Sequence, residues 1–165
     1  MYRPDQSNFL AHFTKEAVEI SAYERLVLIL NEKKLKASTM PWTNTPCVSF
    51  TECPWTSIIK HTKKYSPYGI GFSKPYIFSR NGSPVFYVIA DQHKKQTWHK
   101  HLHPFVTPFW PAYRPQSANT KTEFPTCDYS HEREWRTPHD LAFEYDQIEF
   151  IILDSYDPKL CNRSA

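Results

Sequence analysis

Glycine is scarce in this 165-residue chain, which holds Gly69, Gly71 and Gly82 and no others. None belongs to a G-x-G-x-x-G turn or a phosphate-cradling P-loop, so the sequence carries no motif for nucleotide binding of the Rossmann or P-loop kind. Long apolar runs are missing as well. No stretch approaches the roughly 20 residues that a membrane-spanning helix needs, and the opening Met1–Gln6 lacks the apolar core of a secretory signal. These absences predict a cytoplasmic protein without a membrane partner. The four cysteines, Cys47, Cys53, Cys127 and Cys161, form no C-x-x-C pair. A chain of this length can bury a core without cross-links, so they are expected as buried or half-buried free thiols. A strong charge of one sign is also absent, and the formal net charge of +3 is too small to demand a polyanionic partner.

Hydrophobic residues make up 40% and charged residues 22% of the chain, which excludes a disordered chain and fits one α+β domain over residues 1–165. Fourteen prolines and 16% aromatic residues imply rigid, extended connections, because proline fixes φ and pushes its predecessor toward extended geometry. Such loops suit the walls of a cleft.

Periodicity then places the elements. Phe9–Thr14 reads as a short strand. Ala17, Ile20, Tyr23, Val27 and Leu30 recur every three to four residues and predict an amphipathic helix over Lys15–Lys34, with Glu19, Glu24, Arg25 and Glu32 facing water. Short β-prone runs follow at Cys47–Thr51, Tyr68–Phe72 and Pro84–Ile89, with Asn81-Gly82 predicting a hairpin before the last. Cys53–His61 can form a short helix. From Asp91 to Cys127 no period holds, which predicts either a partly helical excursion or a long Pro- and aromatic-rich loop. Glu132–Arg136 and Gln147–Leu153 read as the closing strands.

Two constellations can carry chemistry. If Glu132–Arg136 is a strand, Glu132, Glu134 and Arg136 share one face, because side chains alternate with period two. That face is either a site or a salt-bridge ladder. Ser49 and Thr51 likewise share a face, able to bond a sugar or a neighbouring strand. The second constellation is His93, His99, His101 and His103 among Lys94, Lys95, Trp98 and Lys100. Lysines attract phosphates and aromatic rings stack on bases, so it is a candidate nucleic-acid surface, extended by Lys60, His61, Lys63 and Lys64. Three alternating imidazoles on an extended segment could also hold a metal.

In their order along the chain, His12-Phe13-Thr14, the Lys34-Leu35-Lys36-Ala37-Ser38 turn after the helix, Ser49-Phe50-Thr51, Tyr68-Gly69-Ile70-Gly71-Phe72 and Glu132-Arg133-Glu134-Trp135-Arg136 carry a resemblance. The chain resembles the ADP-ribosyltransferase fold, in particular DarT-type nucleic-acid ADP-ribosyltransferases, and bacterial phage-defence proteins of the abortive-infection class. The resemblance implies an ADP-ribosyltransferase-like split β-sheet core with an N-terminal amphipathic helix and a long loop. It implies NAD as substrate, held by His12, Thr14, Ser49, Thr51, Tyr68, Lys74 and Arg80. Glu134 would stabilise an oxocarbenium-like ribose and Glu132 would engage the acceptor. Lys94, Lys95, Trp98, His99, His101 and Arg136 would face that acceptor, a DNA or RNA base or a protein side chain. A toxin of this kind implies a cognate antitoxin partner. Two other classes fit the same residues: a non-catalytic module that docks nucleic acid or a partner protein, and a metal-dependent nuclease using the histidines with Glu132 and Glu134.

Overall fold

The computed structural model describes residues 6–52, 54, 58, 61–63, 65–89, 95–110 and 128–154. Their centre is a seven-stranded antiparallel sheet in the order β11-β5-β1-β4-β9-β6, with β3 paired to β4. The strands are β1 (Phe9–Phe13), β3 (Ser38–Met40), β4 (Thr45–Thr51), β5 (Gly69–Ser73), β6 (Ser83–Pro84), β9 (Glu134–Pro138) and β11 (Ile148–Ile152). Among the described residues two small ribbons stand beside it. β2 (Lys34–Leu35) pairs antiparallel with β10 (Leu141–Ala142), and β7 (Phe86–Ile89) pairs parallel with β8 (Val106–Phe109). The architecture is mixed α+β, mostly antiparallel, with few helices.

The main helix, α1 (Ala22–Glu32), is shorter than the periodicity predicts. Its start is set by a capping box: the Glu24 amide donates to Ser21 Oγ (3.2 Å), and the Ser21 amide donates to the Glu24 carboxylate (2.9 Å). Upstream, Ala17 and Ile20 form an isolated bridge, and Val18 is fully exposed, so the apolar residues before Ser21 continue the period without joining the helix. At the other end Lys33 takes a left-handed conformation (φ 50°) and stops it.

Leu26 and Ile29 of α1 pack with Leu10, Val48, Phe50, Ile70 and Phe72 of the sheet. Register explains this set: Leu10 lies opposite Phe72 and His12 opposite Ile70, so these four share the helix-facing side. Gly71 on the other face leaves room for a ring. A Cβ there would sit 2.2 Å from Phe150, so the glycine admits the phenyl of β11 against β5.

Several expected elements are rearranged. Asn81-Gly82 makes no hairpin, because a second helix, α2 (Lys74–Ser79), follows β5 directly. Asn81 (φ 61°) and Gly82 end that helix, with the Gly82 amide donating to the Ile77 carbonyl (2.9 Å). The strand expected over Pro84–Ile89 breaks at Val85, whose amide donates to the Glu134 carbonyl, leaving β6 on the main sheet and β7 on β8. β8 and a 3-10 turn (Lys100–Phe105) lie inside the stretch read as a long loop. Of the short helix expected at Cys53–His61, Ile58 and residues 61–63 are helical, and Cys53, Trp55, Ile59 and Lys60 fall outside the described residues. Cys47 is a buried free thiol as expected, and burial pushes its pKa up. Cys127 and Cys161 lie outside the described residues. Among the described residues no helix is long and apolar enough to cross a membrane.

Candidate functional site

The sheet opens where β1 and β4 part. These strands meet at one register pair, Ala11 with Thr51. Cys47 of β4 pairs with Ser38 on one flank and Pro138 on the other, while Thr51 pairs with Ala11 and Glu134. β3 and β1 therefore share one flank of β4, and a gap separates them beside Val48–Phe50. The His12 side chain spans it: Nδ1 donates to the Ser49 carbonyl at 2.8 Å, a side-chain bond where a main-chain ladder would otherwise run.

A cleft of about 570 Å³ lies at this gap, between α1 and the sheet. His12, Thr14, Ser49, Thr51, Glu132 and Glu134 all line it, so the structure brings together six of the residues singled out by sequence. Lys15, Arg25, Glu32 and Tyr65 join them. Sequence reading missed these four. Arg25 and Glu32 lie on the polar stripe of α1, and a helical period marks the stripe as polar without saying that it faces a cleft.

Three polar side chains of the cleft, His12, Thr14 and Glu134, are committed inward. Arg136 is 2% exposed and grips Glu134 with two bonds, Nε to Oε1 at 2.7 Å and Nη2 to Oε2 at 2.9 Å, while Nη1 donates to the carbonyls of Pro104 and Val106. The guanidinium expected to meet an acceptor is thus a buried tie between β9 and the turn before β8, with no face toward solvent. Thr14 is buried and donates to the carbonyls of Ala22 and Tyr68, fixing the loop between β1 and α1 to the end of β5. Burial holds the His12 imidazole below its usual pKa against the opposing Ser49 bond, and the nearby charges of Arg25 and Lys15 push the same way. With Nδ1 donating, the neutral ring has its proton there and Nε2 bare.

Glu132 belongs to a 3-10 turn (Ser130–Glu132), and Arg133 after it is left-handed (φ 44°), so β9 begins only at Glu134. The strand alternation expected to align Glu132 with Glu134 does not apply. Glu132 reaches the cleft through the turn instead.

The remaining expected residues sit elsewhere. Lys74 pairs with buried Glu52 (2.7 Å), which also accepts from Trp135 Nε1 (3.1 Å). The Lys74 ammonium lies 5.7 Å from the Trp135 ring centre, so its role here is to tie α2 to β9. Arg80 stacks over Tyr76, and Tyr68 packs on Tyr23. Lys95, His99, Lys100 and His101 are exposed, whereas Trp98 is half-buried and its carbonyl is 3.1 Å from His103 Nε2. His99 and His101 stack on one another at 5.5 Å. The 3-10 turn over Lys100–Phe105 replaces the extended segment that would have put three imidazoles on one face. Among the described residues no three His, Cys, Asp or Glu side chains converge as a metal-ligand set. His93, Lys94 and Lys64 lie outside the described residues.

No curated protein and no solved structure matches the chain. Residues 12–108 match the model of a family described as "Putative abortive phage resistance protein AbiGi, antitoxin". That stretch runs from His12 through α1, the cleft strands and α2 to β8 and covers more than half of the chain. The match carries the abortive-infection part of the resemblance and gives no support to its ADP-ribosyltransferase part. It also overturns the expectation of a toxin enzyme, since the family is described as the antitoxin of such a system. The chain belongs to the AbiGi family of abortive phage resistance proteins.

Proposed function

We propose that this protein is the antitoxin of an abortive-infection pair, a non-catalytic module that binds its cognate toxin and holds it inactive. Membership in a family described as an antitoxin carries this reading. The chemistry of the cleft supports it. The Glu134 carboxylate is spent on Arg136, Thr14 on two carbonyls and His12 Nδ1 on Ser49. Side chains locked into internal bonds make a rigid surface, and rigidity lowers the ordering cost of docking a partner. Lys15 and Arg25 at the cleft add positive charge for steering and register.

The test is co-expression with the toxin of the same system. Relief of toxin-induced growth arrest, together with a stable complex on size exclusion, is the expected result. Arrest that persists while this chain is present and folded would refute the proposal. A second ligand class is favoured by one observation, the exposed cluster of Lys95, His99, Lys100 and His101. It fits a polyanion, and fluorescence anisotropy with an oligonucleotide should then show binding that weakens steeply with salt. Binding that is absent or indifferent to salt would exclude it.

A further inference from the structure

The charges around the cleft between α1 and the sheet are unevenly matched. Arg136 holds both oxygens of Glu134, Lys36 holds Glu32 at 2.8 Å, and Glu132 lies 3.9 Å from His131. Lys34 is likewise engaged, with Asp140 at 2.7 Å. Lys15 and Arg25 differ from these. Lys15 is exposed and lies 5.7 Å from the Tyr65 ring centre, Arg25 is half-buried, and neither has an ion-pair partner among the described residues. The cleft therefore keeps two uncompensated positive charges where the chain passes from β1 into α1.

Both charges act on His12. That ring is fixed in place, with Nδ1 donating to the Ser49 carbonyl at 2.8 Å and the Phe50 ring edge-on at 5.9 Å. Nε2 makes no hydrogen bond among the described residues, so its lone pair is left for whatever enters the cleft. Burial keeps the imidazole neutral against the Ser49 bond, and the Arg25 and Lys15 charges push the same way. An anion beside Arg25 would cancel that push. The ring would then take a proton on Nε2 and donate it to the anion in a charge-assisted bond. Much of the remaining wall is apolar, with Leu28, Ile29, Met40, Val48 and Phe50 in it. At about 570 Å³ the cleft has the size of a small-molecule site, well beyond what a bare ion fills.

We propose that this cleft binds a small organic anion with an apolar body, its acid group held by Arg25 and His12 Nε2, with Lys15 adding electrostatic attraction. Binding takes up a proton from solvent onto Nε2. The site goes beyond the antitoxin reading and does not rest on it.

The experiment is calorimetry of the full chain with benzoate, whose charge is constant from pH 6 to pH 8, and with benzamide, its uncharged counterpart. Benzoate should bind at least about tenfold more tightly, as a charge-assisted bond implies. Titrations in buffers of different ionisation enthalpy should reveal proton uptake. The benzoate Kd should fall as pH drops from 8 to 6, by up to about tenfold per pH unit for one proton taken up. Arg25→Gln should weaken benzoate by at least about tenfold, and Lys15→Gln, at an exposed position, by a smaller factor. His12→Asn, which can still donate to the Ser49 carbonyl, should abolish the proton uptake, with an unchanged thermal midpoint at pH 8 showing that it folds. Equal binding of the two compounds, or none of either, would overturn the inference. So would benzoate binding that survives Arg25→Gln, that takes up no proton, or whose proton uptake persists in His12→Asn. The toxin plays no part in these measurements. A chain that binds benzoate and no toxin contradicts the antitoxin reading alone, and one that binds toxin and no benzoate contradicts this inference alone.

Discussion

At one edge of the seven-stranded sheet stands β6, two residues long and ending in Pro84; at the other stands β11, five residues long with three isoleucines and no proline. The first edge is closed by its own chemistry. Pro84 has no amide to offer, and the neighbouring β9 is pinned from beneath by Arg136, which binds Glu134 and the carbonyls of Pro104 and Val106. The second edge rests on the phenyl of Phe150 over Gly71 and on helix contacts such as Tyr145 Oη donating to the Leu30 carbonyl at 3.1 Å. One sheet thus ends beside the cleft in a short strand closed by proline and, at the other end of the described strands, in a longer apolar one.

The sharpest way to break this contrast is at the closed edge. Arg136→Ala leaves the Glu134 carboxylate without its partner, and removing one member of a buried pair costs about 3–5 kcal/mol; urea denaturation should show a loss of that size. A loss under about 1 kcal/mol would mean that the tie does not hold β9. Next in size is Gly71→Ala on β5, where the new methyl collides with the Phe150 ring. Overpacking of this kind costs about 1–3 kcal/mol, and exchange at β11 should accelerate before exchange at β4. Equal acceleration at both strands would contradict the view that β11 loosens separately.

The pH dependence tests the cleft side of the comparison. His12 has a folded pKa below the unfolded value of about 6.5, so below that value the unfolded chain takes up a proton that the folded chain resists. Stability therefore falls as pH drops from near 6.5 toward the folded pKa and is retained above it. His12→Asn, whose amide can still donate to the Ser49 carbonyl, should flatten that slope in thermal melts from pH 7 to pH 5; an unchanged slope would assign it to other groups. The smallest effect belongs to β11 itself. Ile151→Lys changes an exposed side chain and should alter stability by no more than about 0.5 kcal/mol, and a larger loss would show that Ile151 is part of the core.

Much of this contrast could be read from the amino acids. Gln147–Leu153 is apolar and β-branched with no breaker, and β11 appears there within a residue at each end. Ser49-Phe50-Thr51 alternates cleanly, and the register places Ser49 opposite Arg136 and Thr51 opposite Glu134 on one face. What could not be read depends on contacts distant in sequence. Arg136 looks like a surface cation until Pro104 and Val106, some thirty positions away, are brought against it. Asn81-Gly82 serves a helix end as well as it serves a hairpin, and the choice was made by Ser73, whose hydroxyl accepts from the Tyr76 amide and starts α2. The gap between β1 and β4 leaves no periodic trace, because both strands alternate normally through it. Function followed the same division: the order of short motifs pointed to phage defence, and the toxin role attached to those motifs was overturned by the antitoxin family to which the chain belongs.

The most direct test of the central claim is growth of cells carrying the inducible toxin of the same abortive-infection system, with and without this chain, alongside calorimetry of the two purified proteins. The account predicts that the chain is harmless alone, restores growth when the toxin is induced, and binds the toxin in a saturable complex. Growth arrest caused by the chain itself, or toxin arrest undiminished in the presence of the folded chain, would contradict it.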